Sequence, residues 1–190
     1  MVRPLLALAL ALAAAPASDG VSAFEGGQVR SPDRAWTIVV PAPRGDSEAV
    51  TATAWLNGPG VRGRRLMRFE RHVSAVWPRG SGKVVLVEQT MHFARVEVFT
   101  LGPRETAAPD RIQADVVRGM AHQLPRIAQI ENRLVAFGKA GAATCVLVEE
   151  SGLPPGRDEG SFVVRRAAFR LDLAAKRAVP VPTCPGAAIG

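Results

Sequence analysis

The chain has 190 residues, of which 47% are hydrophobic and 22% charged, and a formal charge of +7. That mixture excludes a disordered chain, and the length suits one domain with a core of its own. Tyr is absent and only 5% of residues are aromatic, so the core must rest on Val, Leu, Ile and Ala. A mildly basic surface suits anionic partners. Even so, 21 of the 24 basic residues are Arg, beside much Ala, Gly and Pro, as a GC-rich genome would encode, and this weakens the functional meaning of the Arg count.

In chain order the first element is an export signal. Arg3 supplies positive charge, Leu5 to Ala15 is an apolar run, and Ala15-Pro16-Ala17 places small residues where signal peptidase cuts. Eleven apolar residues fall short of the ~20 that a spanning helix needs. Residues 1–17 are therefore predicted to be a cleaved signal peptide, and residues 18–190 a single exported β domain, periplasmic or secreted. No Cys follows the apolar run, so no lipid anchor is expected there, and no later stretch predicts a membrane span.

Ser18 to Ser31 reads as a polar, glycine-bearing lead-in. Short β-type runs follow: Trp36 to Val40, Ala49 to Leu56, Arg65 to Phe69, Val73 to Trp77, Lys83 to Glu88 and Ala94 to Leu101. Gly, Pro and Asn punctuate them, the pattern of an antiparallel β domain. One helix is predicted near 110–124, with Asp110 at its start, Ile112, Val116, Val117 and Met120 at helical spacing, and Pro125 ending it. Strands resume at Leu134 to Phe137, Ala143 to Glu149 and Ser161 to Leu173, with Gly152 to Gly160 as a loop. In the last of these strands, Phe162 and Val164 share one face and Phe169, Leu171 and Leu173 the other. This predicts a bulge or a change of sheet across Arg165 to Ala168.

Apolar runs recur at Ile38-Val39-Val40, Val85-Leu86-Val87 and Val135-Ala136-Phe137, starting 47 and 50 residues apart. Four-stranded propeller blades repeat at about this period. Ser31-Pro32-Asp33-Arg34-Ala35-Trp36 resembles the Ser-Pro-Asp-Gly turn of the periplasmic propeller repeats found in TolB-like proteins. Ala75-Val76-Trp77-Pro78, running on through Gly82-Lys83, is similar to the fuller Trp-Ser-Pro-Asp-Gly-Lys form. Arg34 stands where the repeat has Gly, and the second copy lacks the Ser and Asp. The resemblance covers two blades, residues 28 to 101, and implies an incomplete propeller-like fold. The expected class is mainly β, with antiparallel sheets, propeller-like or sandwich-like, and the one helix.

Two cysteines, Cys145 and Cys184, predict a disulfide in an exported protein, because no Cys-x-x-Cys is present to favour redox chemistry. The bridge would pin the Pro-rich tail Val179 to Pro182. His72, His92 and His122 lie too far apart to read as a metal motif, and no Ser stands in a nucleophile elbow. No catalytic, cofactor or metal residue is predicted, and no cofactor. Glu149-Glu150 reads either as paired carboxylates or as the polar start of a loop. The best anion-binding segment is Arg62, Arg64, Arg65, Arg68 and Arg71, although strand alternation divides it between two faces. The expected role is a non-enzymatic module that binds an envelope protein or an anionic envelope component. Nucleic acid is not expected, since aromatic interleaving is scarce. A small hydrolase or sugar-processing enzyme assembled from loops is the alternative.

Overall fold

The computed structural model describes residues 20–23, 25–42, 51–90, 92–104, 110–140, 143–156 and 161–189. The predicted signal peptide lies outside the described residues. Twelve strands and one helix follow in order: β1 (Gly20–Ser22), β2 (Gly27–Arg30), β3 (Thr37–Val40), β4 (Ala52–Gly58), β5 (Val61–Phe69), β6 (His72–Val76), β7 (Lys83–Gln89), β8 (Ala94–Thr100), α1 (Ile112–Ala121), β9 (Gln129–Ala140), β10 (Ala143–Leu153), β11 (Val163–Asp172) and β12 (Arg177–Val181). They form three antiparallel four-stranded sheets: a first, β2-β3-β4-β5; a middle, β1-β6-β7-β8; and a third, β12-β11-β10-β9. None closes into a barrel. The protein is mainly β, as the punctuated runs predicted, in an arrangement consistent with an incomplete propeller or a sandwich.

β7 explains the stacking. Its run Val84-Val85-Leu86-Val87 is buried on both faces. Val84 and Leu86 join one core with Ile38, Leu56 and Phe69, whereas Val85 and Val87 join another with Val146, Val148 and Phe169. A strand that is apolar at every position, rather than at alternate ones, needs cover on both sides. The middle sheet is therefore the filling between the other two.

The lead-in contains two strands that its polar composition concealed. β1 adds to the edge of β6, and β2 opens the first sheet. The tail Val179 to Pro182 likewise contributes to an edge strand, β12, where Pro180 lies opposite Phe169 and costs no interior ladder bond.

The helix ends at Ala121, short of the predicted Leu124, which is 79% exposed. Ile112, Val116 and Met120 are buried, but Val117 is exposed. Asp110 does two jobs. One carboxylate oxygen accepts the Ile112 N–H at 2.9 Å, and the other accepts the Val98 N–H at 2.7 Å. The Gln113 side chain accepts the Val96 N–H at 3.3 Å. These side chains satisfy donors on the open edge of β8, which would otherwise invite another strand. Asp115 fixes the other side of the helix by accepting from the Arg177 guanidinium and the Ala178 N–H on β12.

The predicted switch of faces in the strand from 161 to 173 does not occur. Its register against β10 runs unbroken from Gly152↔Val163 to Cys145↔Arg170. Val163, Arg165, Ala167, Phe169 and Leu171 all face inward, while Phe162 and Val164 are 59% and 49% exposed. The pattern misled because a charged residue, Arg165, occupies an inward position. The register shifts lie elsewhere, between β4 and β5 at Ala54/Trp55 and Leu56/Gly58, and between β9 and β10 at Ser151/Gly152.

The disulfide Cys145–Cys184 is present, with Cα atoms 5.7 Å apart, in the usual range. It fastens the tail across the outer face of the third sheet, where the Lys139 N–H donates to the Pro185 carbonyl at 2.9 Å. Gly138 lies beneath this crossing. A Cβ there would meet the Pro185 carbonyl oxygen at 2.5 Å and the Cys184 sulfur at 2.8 Å, so only glycine lets the tail lie down.

Candidate functional site

Most charges in the middle and third sheets are consumed internally. Glu150 is fully buried on the inward face of β10, with Arg133 of β9 and Arg165 of β11 directly opposite it on either side. Arg133 donates to one carboxylate oxygen at 2.7 and 2.5 Å, and Arg165 to the other at 2.8 and 2.6 Å. Glu149 points the opposite way and pairs with Arg166 at 2.5 Å. Alternation along a strand separates the two glutamates. They are neither paired carboxylates nor the start of a loop, because β10 continues to Leu153.

In the middle sheet, Arg95 bridges Glu88 at 2.9 Å and Glu97 at 3.1 Å. Burial raises the Glu97 pKa, and the Arg95 charge opposes that shift. Asp115 is held below the usual carboxylate range, chiefly by its hydrogen bond from Arg177.

The first sheet differs. Its strands carry Arg30, Arg62, Arg64, Arg65 and Arg68 and no carboxylate. Val29, Ile38, Val40, Ala52, Ala54, Leu56, Met67 and Phe69 turn inward to the core. The alternate residues form an outward face in rows set by strand pairing. One row is Gln28, Val39, Trp55 and Arg65; beside it stand Arg30, Thr37 and Asn57, and on the other side Thr53 and Arg68. Four strands and three rows make a face of about 14 by 14 Å. Arg30, Arg62, Arg65 and Arg68 are exposed, and their side chains form no ion pair among the described residues.

The five predicted arginines are thus divided. Arg65 and Arg68 stand on the outward face because the bulge at Leu66 returns Met67 to the core side. Arg64 faces Leu56 on the inward side, and its guanidinium donates to the Thr100 carbonyl at 2.5 Å, tying the first sheet to the middle one. Arg62 is exposed near the β4–β5 turn, and Arg71 lies past the strand end, at the corner leading into β6.

Two members of the outward face escaped the sequence reading. Arg30 lay in what reads as a lead-in. Trp55 was legible from the alternation Ala52-Thr53-Ala54-Trp55-Leu56, which sends it away from the core. Trp36 and Trp77 pack against the core between the first and middle sheets, whereas Trp55, partly exposed, belongs to no core cluster. A notch of about 220 Å³ opens beside it, with Pro41, Ala42, Thr51 and Thr53 among its walls.

The histidines do not converge. His72 lies on β6, His92 at the β7–β8 turn with its ring 3.3 Å from the Asn132 side chain, and His122 at the end of α1. Among the described residues no group of three His, Cys, Asp or Glu is placed to hold a metal. The Ser81 hydroxyl is engaged in its own turn, donating to the Pro78 carbonyl at 2.8 Å. No helix of the described residues is long and apolar enough to cross a membrane. No protein family, curated protein or solved structure matches the chain.

Proposed function

We propose that the chain is an exported, non-enzymatic β module that binds an anionic component of the cell envelope on the outward face of its first sheet. The observation that carries this reading is the charge imbalance of that sheet: five arginines and no carboxylate in its strands, with four of the five side chains exposed and in no ion pair among the described residues. In the rest of the fold, Glu88, Glu97, Asp115, Glu149 and Glu150 each pair with arginine. A surface of one sign raises the local concentration of opposite charge and speeds encounter with it. The disulfide supports an exported setting, since such bonds persist in oxidising compartments. The repeat-like turns and the three four-stranded sheets support a propeller-like relationship.

Retention on immobilised dextran sulfate tests the reading. Replacing Arg30, Arg65 and Arg68 with Ser should release the protein at much lower salt than wild type. A control losing Arg104, Arg126 and Arg170, which are exposed elsewhere, carries the same net charge and should elute near wild type. Equal loss in both variants would mean that net charge, not this face, does the binding.

A further inference from the structure

Building on that reading, we infer that the ligand is an acidic polysaccharide, with Trp55 as the platform on which a sugar ring stacks and Arg65 and Arg68 as the readers of its charge. Trp55 is the feature that charge alone does not explain. It stands in the middle of the outward rows, directly across from Arg65, with Val39 on its other side. Its ring is partly exposed and lies outside every core cluster, which leaves part of the indole available to a partner. The other residues of the face are hydrogen-bonding: Gln28, Thr37, Thr53 and Asn57. An aromatic ring set among amides, hydroxyls and guanidinium groups offers an apolar contact to the flat side of a pyranose. Its neighbours meet the hydroxyls and a carboxylate or sulfate, and Arg can hold such an anion with two parallel hydrogen bonds.

The dimensions favour a chain of sugars over a small molecule. The notch of about 220 Å³ beside Trp55 is smaller than the ~300–1,000 Å³ of sites that enclose a whole ligand. The face is otherwise flat and spans about 14 Å, enough for several consecutive units of a polymer lying across the strands. A lipid bilayer fits poorly. Insertion needs projecting apolar side chains, and the large hydrophobics most exposed to solvent, Phe93, Val117, Leu124, Phe162, Val164 and Val179, all belong to other parts of the fold. Single-stranded nucleic acid calls for successive aromatic platforms, and this face has one.

The test compares four immobilised or suspended probes: polygalacturonate, its fully methyl-esterified form, polyaspartate and phosphatidylglycerol vesicles. Wild type should bind polygalacturonate and lose most of that binding on the esterified form. Trp55→Ala should weaken polygalacturonate binding about tenfold, the low end of what an aromatic platform contributes to a stacked base, while leaving polyaspartate binding unchanged. That unchanged binding also reports that the variant is folded. Trp55→Phe keeps a ring and should retain most of the affinity. If Trp55→Ala binds polygalacturonate as well as wild type does, the face recognises charge alone and the sugar inference fails while the anion-binding reading stands. Binding to vesicles but not to polygalacturonate would overturn the sugar inference in favour of a membrane. Failure to bind any of the polyanions would remove both.

Discussion

Glu150→Ala offers a sharp test of the fold because its neighbour supplies the control. The substitution leaves Arg133 and Arg165, 11% and 7% exposed, facing each other across β10 with no counter-ion. Removing one partner of a buried ionic group costs about 3–5 kcal/mol, because the remaining charge stays desolvated. Here two charges are stranded, so the upper part of that range applies. Against a total stability of ~5–15 kcal/mol, the loss is severe. With a urea m-value of about 2 kcal/mol/M, the midpoint should fall by about 2 M. Glu149→Ala breaks an ion pair one residue away whose arginine is 60% exposed, and should cost less than about 1 kcal/mol. Equilibrium urea unfolding under non-reducing conditions, followed by circular dichroism, measures both. Equal and small losses for the two variants would refute the inward placement of Glu150 and, with it, the unbroken register of β11.

Two further outcomes follow from the fold and its charges. Replacing both Cys145 and Cys184 with Ala should lower stability by about 4 kcal/mol in the chain-entropy model for a separation of 39 residues; an unchanged melting temperature would show that the bridge constrains nothing. Asp115 has a folded pKa below its unfolded value, so its contribution is complete above the unfolded value near 4 and is lost as pH falls through the folded one. Acid titration of Asp115→Asn should therefore show a shallower loss of stability below about pH 4 than wild type. An equally steep loss would remove Asp115 as a source of acid sensitivity.

Much of the fold was legible because it follows local chemistry. Period-two alternation gave most strands, and β7 was visible as a short, wholly apolar run. What escaped shares one cause: the deciding partner is distant in sequence. Arg165 looked like an outward residue until Glu150 and Arg133 stood opposite it. β1 and β12 exist because they add to edges formed by other strands. The candidate face was half legible. Its Arg run was plain, but which arginines point outward depends on the bulge at Leu66 between β4 and β5, which spacing alone did not locate. Trp55 carried a readable signal in its alternation with Ala54 and Leu56. Arg30 carried none, since its strand is defined by pairing with β3.

The salt dependence of binding to a soluble polyanion such as dextran sulfate tests the central claim most directly. Each basic side chain that neutralises a polymer charge contributes to the log–log slope, by about 0.9 for a densely charged polyanion such as DNA. The variant lacking Arg30, Arg65 and Arg68 should therefore show a slope shallower than that of wild type by about two to three. Identical slopes for the two proteins, whatever their absolute affinities, would contradict the claim that the outward face of the first sheet is where the anion binds.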